Sequence, residues 1–89
     1  MWFLYIATFK NGKLYTGITV DLVRRIKQHN EGIGAKSLRG KGPVELLYTE
    51  EYTTNALAAK REREIKGWSH SKKVKLIEGF TLKQMKGLP

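Results

Sequence analysis

The chain has 89 residues, with 17 Lys and Arg against 8 Asp and Glu, a formal net charge of +9, two His and no Cys. That length fits one domain with a modest core, and the lack of cysteine excludes disulfides, thiolate zinc sites and cysteine nucleophiles. The longest apolar run, Met1 to Ala7, is far short of the roughly 20 residues of a membrane span and has no basic segment ahead of it, so a soluble, cytoplasmic protein with no membrane partner is expected.

Trp2 to Thr8 is apolar and aromatic and reads as a buried strand. Lys10-Asn11-Gly12-Lys13 centres on an Asn-Gly pair, which tolerates the positive φ angles of a tight hairpin turn. Leu14 to Thr19 reads as the returning strand, which places Tyr5 and Tyr15 on adjacent antiparallel strands. Asp21 is an N-cap for a helix over Leu22 to Asn30. Leu22 and Ile26 face its core side, and Arg25 and His29, also four apart, share a second face. Glu31 to Pro43 carries four glycines with Lys36, Arg39 and Lys41 between them, and reads as a basic loop. Val44 to Tyr52 is a third strand.

Thr53 or Thr54 caps a second helix over Asn55 to Lys66, closed by Gly67. Ser69 caps a third over His70 to Glu78, with one more helical turn expected between Phe80 and Pro89. Trp2 and Trp68 are assigned to the core. The order ββαβαα argues a small α/β (α+β) layer with helices packed on a short sheet. Residues 1–80 are expected to form the domain and 81–89 a C-terminal tail.

The positive charge is shared by both halves: residues 1–45 hold 8 basic and 3 acidic residues, residues 46–89 hold 9 and 5. The field therefore belongs to the folded body, which attracts polyanions, nucleic acid foremost. No His pair at zinc spacing, no nucleotide-phosphate loop and no nucleophile elbow occurs. What remains is a polar set: Tyr5, Tyr15, Arg25, His29 and Glu62. Phosphodiester hydrolysis needs a base for water, a cation for the charge on the phosphoryl oxygens, and a metal or acid for the leaving oxygen. Tyrosine, arginine and a metal-binding carboxylate can supply all three, and the arginine fork suits a phosphate.

Leu4-Tyr5-Ile6, then Tyr15-Thr16-Gly17, then Asp21-Leu22-x-Arg24-Arg25-x-x-x-His29 resemble the motifs of the GIY-YIG nuclease family. Gly-x-Gly-Ala-Lys, Gly42-Pro43 and Arg61-Glu62-x-x-Ile65-Lys66-x-Trp68 extend the likeness to residues 2–78. Together they resemble the small stand-alone bacterial members, which consist of little more than the nuclease domain. Each motif alone is weak; five in order with fitting gaps are not. The resemblance implies a three-stranded antiparallel sheet flanked by helices, and a divalent-metal-dependent endonuclease cutting DNA. The metal is expected to be Mg²⁺, with Mn²⁺ as the alternative. It implies Tyr5 as base, Tyr15 positioning water or phosphate, Arg25 and His29 as further catalytic residues, and Glu62 as the metal ligand. A tyrosine works as base at pH 7 only if nearby Arg or metal charge lowers its pKa. Two departures stand out: Phe3-Leu4 replace the first motif's Gly-Ile, and Thr16 replaces the second motif's Ile.

Plainer readings exist for each residue. The tyrosines can be core aromatics, Arg25 a solvated arginine like Arg24, and His29 a group packed at its helix end. Glu62 can pair with Lys66, with Glu64 as its rival for a metal. Lys36, Arg39 and Lys41 contact phosphates without reading sequence. A domain this small has no separate reader, so little sequence specificity is expected, and branched or damaged DNA is an open substrate class. Repair, recombination and degradation of foreign DNA are all compatible. Two alternatives compete: a catalytically weak nucleic-acid-binding module on the same fold, and an adaptor whose basic face docks an acidic protein.

Overall fold

In the computed structural model, residues 1–9, 12–31 and 44–86 are described. The order is β1 (Trp2–Thr8), β2 (Leu14–Thr19), α1 (Leu22–Asn30), β3 (Glu45–Tyr52), α2 (Asn55–Lys66) and α3 (His70–Lys86). The three strands form one antiparallel sheet in the order β2-β1-β3. The order ββαβαα is the one read from the sequence, and the sheet is the three-stranded antiparallel one that the resemblance implies.

The central place of β1 explains its unbroken apolar sequence. Successive side chains of a strand point to opposite faces, and β1 is covered on both. Leu4 and Ile6 enter a core with Tyr48 and Ile65, against which Trp68 and Leu76, Ile77 and Phe80 of α3 pack. Tyr5 and Ala7 enter a second core with Val44, sealed by Tyr15 and by Leu22 and Ile26 of α1. Each fully buried aliphatic side chain contributes about 1.5–3 kcal/mol. A bulge at Ile6/Ala7 shifts the register to β3, so Ile6 faces Tyr48 while Ala7 faces Leu46.

The hairpin closes through Gly12, whose φ of 82° is left-handed and suits glycine. Phe9 N–H donates to the Lys13 carbonyl across it. Asp21 caps α1 by accepting from Arg24 N–H at 3.0 Å. Thr54, rather than Thr53, caps α2, and Ser69 caps α3 through Lys72 N–H. At the far end of α1, the Asn30 side-chain carbonyl accepts from Val44 N–H, tying the helix to the start of β3.

Helix α3 does not stop at Glu78. It continues through Gly79 to Lys86, because Phe80 is anchored edge-on against Tyr48 at 5.2 Å. Packing outweighs the roughly 1 kcal/mol a mid-helix glycine costs. Trp2 and Trp68 are half-buried at the core rim rather than inside it. Trp68 carries the cations of Lys72 and Arg61 over its ring, at 4.2 and 5.1 Å. Among the described residues, no helix is long and apolar enough to cross a membrane.

Candidate functional site

The site is built on the β1–β2 hairpin and roofed by α1. Tyr5 is paired across the sheet with Gly17, and Ala7 with Tyr15. Their alternation puts both tyrosine rings on the α1 side, with centroids 6.1 Å apart. His29, in the last turn of α1, is only 2% exposed. Its Nε2 lies 2.9 Å from the Tyr5 hydroxyl, and the Tyr15 ring meets it edge-on at 5.5 Å. Tyr5, Tyr15 and His29 thus form one cluster of three rings.

Gly17 makes the cluster possible. A Cβ there would lie 2.6 Å from Tyr5 Oη, 2.8 Å from Tyr5 Cζ and 3.0 Å from Tyr15 Cε1. The Tyr5 ring end occupies the space a side chain at residue 17 would need. The glycine of Tyr15-Thr16-Gly17 is therefore fixed by the Tyr5 ring, not by its own backbone angles.

Arg25 lies one turn before His29 and opens on a groove of about 280 Å³ between the Thr19–Asp21 turn and α1. Burial, and then the adjacent Tyr15, raise the Tyr5 phenol well above its ordinary value; Arg25 pulls it down and Glu62 pushes it up, both more weakly. The lowering by Arg25 that a tyrosine base requires is present, but burial outweighs it. Burial, and then Arg25, lower the His29 imidazole below 6.5, so it is held neutral.

Glu62, on α2, acts on the Tyr5 phenol through its charge, while its Oε2 meets Lys66 Nζ at 3.4 Å. The carboxylate that the resemblance assigns to the metal is thus also the partner in the plain helical ion pair. Glu64 points elsewhere, to Arg61 Nη1 at 2.9 Å. No group of three His or acidic side chains suited to a metal occurs among the described residues. A single carboxylate such as Glu62 fits a divalent ion that retains waters and takes substrate phosphate oxygens, and does not fit a closed zinc cage. Lys36, Arg39 and Lys41 lie outside the described residues.

One cluster escaped the sequence reading. Glu50 accepts from the hydroxyls of Tyr48 and Tyr52 and from Arg61 Nε and Nη2, at 3.0 and 3.1 Å from the guanidinium. Burial pushes its carboxyl up, but these hydrogen bonds outweigh that and hold it below the usual range. Burial, and then the hydrogen bond to Glu50, push the Tyr52 phenol up to about 12. The network clamps α2 to β3 one residue from Glu62. Its sequence signal is the alternation Tyr48-x-Glu50-x-Tyr52, which puts all three on one strand face.

The family model for the GIY-YIG catalytic domain matches residues 1–75. A UPF0213 protein of Staphylococcus saprophyticus is 48% identical over 75 residues, 84% of this chain and 92% of that protein. A UPF0213 protein of Klebsiella pneumoniae is 42% identical over 78 residues, 88% of this chain and 74% of that protein. The solution NMR structure of the UPF0213 protein BH0048 from Bacillus halodurans matches with a TM-score of 0.57 at 42% identity, over 88% of this chain and 84% of that one. With the motifs, the sheet order and these relatives in agreement, the chain belongs to the GIY-YIG family and carries its nuclease-type catalytic domain.

Proposed function

We propose that this chain is a divalent-metal-dependent endonuclease that hydrolyses DNA phosphodiester bonds with little sequence specificity. The observation that carries the reading is the buried 2.9 Å contact between Tyr5 and His29, with Arg25 one turn before His29 on α1 and the charges of Arg25 and Glu62 both acting on the Tyr5 phenol. A purely structural aromatic cluster has no need of a neutral imidazole joined to a phenol and flanked by a guanidinium. The net charge of +9 draws the substrate in.

Burial defines the part Tyr5 plays. A phenol held so strongly neutral cannot rest as phenolate. It works instead as a relay: its oxygen takes the proton of the attacking water while its own proton passes to His29 Nε2. Neutral His29 accepts it at Nε2, with Nδ1 carrying the ring proton beforehand. Tyr5 itself never bears a full charge; the charge passes to His29, which burial and Arg25 hold neutral at rest and which gains its proton only as negative charge builds on the phosphate. Tyr15, half-buried beside them, orients the water or a phosphate oxygen. Arg25 binds the scissile phosphate and stabilises the charge that builds on its oxygens. Glu62 would hold the metal, Mg²⁺ or Mn²⁺, which when bound neutralises phosphoryl charge and eases departure of the leaving oxygen. Lys66 must release Glu62 for this.

That ion pair is the one observation favouring a second reading, a module that binds nucleic acid and does not cut. Labelled single-stranded, duplex and branched DNA incubated with Mg²⁺ or Mn²⁺ separates the two. Cleavage by the wild type, lost in folded Arg25→Ala and Glu62→Ala, is the expected result. Equal binding by all three proteins with no cleavage would leave only the binding module.

A further inference from the structure

We propose that the groove beside Arg25 binds the phosphodiester next to the one that is cut, and that Arg24 holds it. This rests on the reading of Arg25 as the residue on the scissile phosphate. The groove is lined by Thr19, Val20, Asp21, Arg24, Arg25 and Gln28. Its volume of about 280 Å³ suits a single nucleotide unit.

Consecutive helical residues point about 100° apart, so neighbouring arginines ordinarily serve different surfaces. Here the Thr19–Asp21 turn wraps the first turn of α1, and both arginines line the same groove. Arg25 is half-buried and Arg24 exposed, which orders them from the catalytic cluster outward. Lys27, Arg61 and Lys66 each meet a carboxylate. Neither Arg24 nor Arg25 has such an ion pair among the described residues. The one carboxylate in the groove, Asp21, is committed through Oδ1 to the Arg24 backbone N–H. Two uncompensated guanidinium forks against one engaged carboxylate leave the groove net positive. Each fork can grip a phosphate through two hydrogen bonds. Gln28, with amide donors and an acceptor, faces the sugar or base between them.

The test is an NMR titration in EDTA, where nothing is cut, with a thymidine dinucleotide (one phosphodiester) and a trinucleotide (two). The wild type should bind the trinucleotide about 5- to 30-fold more tightly, with the backbone amides of Thr19, Asp21 and Gln28 moving. Arg24→Ala should abolish that gain, Arg24→Lys restore part of it, and the control Lys60→Ala, an exposed lysine of α2 that does not line the groove, keep it. Arg24 contributes only its backbone N–H to the cap, so the alanine variant retains the fold, which amide dispersion reports directly. A gain that survives Arg24→Ala, a gain lost equally in Lys60→Ala, unmoved groove amides, or no binding by the wild type would each overturn the proposal. If the Arg24-dependent gain is present but the wild type cuts no DNA, the groove stands and the nuclease reading falls. If the wild type cuts and the gain is absent, the groove alone falls.

Discussion

Gly17→Ala tests the construction of the site in its smallest form. The added methyl would sit 2.6 Å from Tyr5 Oη and 2.8 Å from Cζ, about 1 Å inside the ordinary carbon contact distance. Tyr5 has nowhere to retreat, being 1% exposed and bonded to His29 at 2.9 Å. Overpacking a tight core costs about 1–3 kcal/mol, and a displaced Tyr5 loses a buried hydrogen bond of about 1 kcal/mol. Replacing glycine returns about 0.5–1 kcal/mol of backbone entropy. The net expectation is a destabilisation of about 2 kcal/mol, or a Tm lowered by about 8–16 °C for a domain of this size. Urea and thermal unfolding followed by circular dichroism measure it. In a Tyr5→Phe background the closest contact is gone, so the same substitution should cost about 1 kcal/mol less. A neutral or stabilising Gly17→Ala, or equal costs in the two backgrounds, would refute the argument.

Thr16 is buried with its Oγ1 lacking a hydrogen-bond partner among the described residues; Thr16→Val should therefore raise stability by about 1 kcal/mol, read as a higher urea midpoint with unchanged slope. His29 has its folded pKa lowered from 6.5 by burial and then by Arg25. The unfolded chain therefore binds the proton first, and the stability His29 confers is full above pH 6.5 and lost as pH falls through the folded pKa. His29→Gln should flatten the stability–pH curve in that window, and an unchanged slope would discount the buried neutral imidazole. Arg61→Met should cost about 2 kcal/mol, less than the 3–5 kcal/mol of a fully buried pair because both partners are partly exposed. Adding Glu50→Gln should recover most of that loss in chemical denaturation, since no unpaired carboxylate then remains. Lys66→Met should change stability by less than about 0.5 kcal/mol, the pair being exposed on the lysine side, while lowering the Mg²⁺ concentration needed for half-maximal cleavage. A large loss of stability there would assign Glu62 a structural role instead.

Local chemistry was enough to write the elements. The unbroken apolar run of β1, the caps Asp21, Thr54 and Ser69, and the four-residue spacing of Arg25 and His29 are short-range signals whose physics acts within a few residues. They placed β1, β2, α1 and α2 at the bounds observed. The end of α3 was not legible, because Phe80 is held by Tyr48, a residue 32 positions away. Nor was it legible that β1 is central, that Glu50 gathers Tyr48, Tyr52 and Arg61, or that Arg24 shares a groove with Arg25. The motifs brought Tyr5, Tyr15 and His29 to attention, but only packing decided that Tyr5 is buried, neutral and bonded to His29, with Gly17 making room for its ring. Periodicity reports which way a side chain faces; desolvation, close approach and ion pairing depend on what the rest of the chain places opposite it.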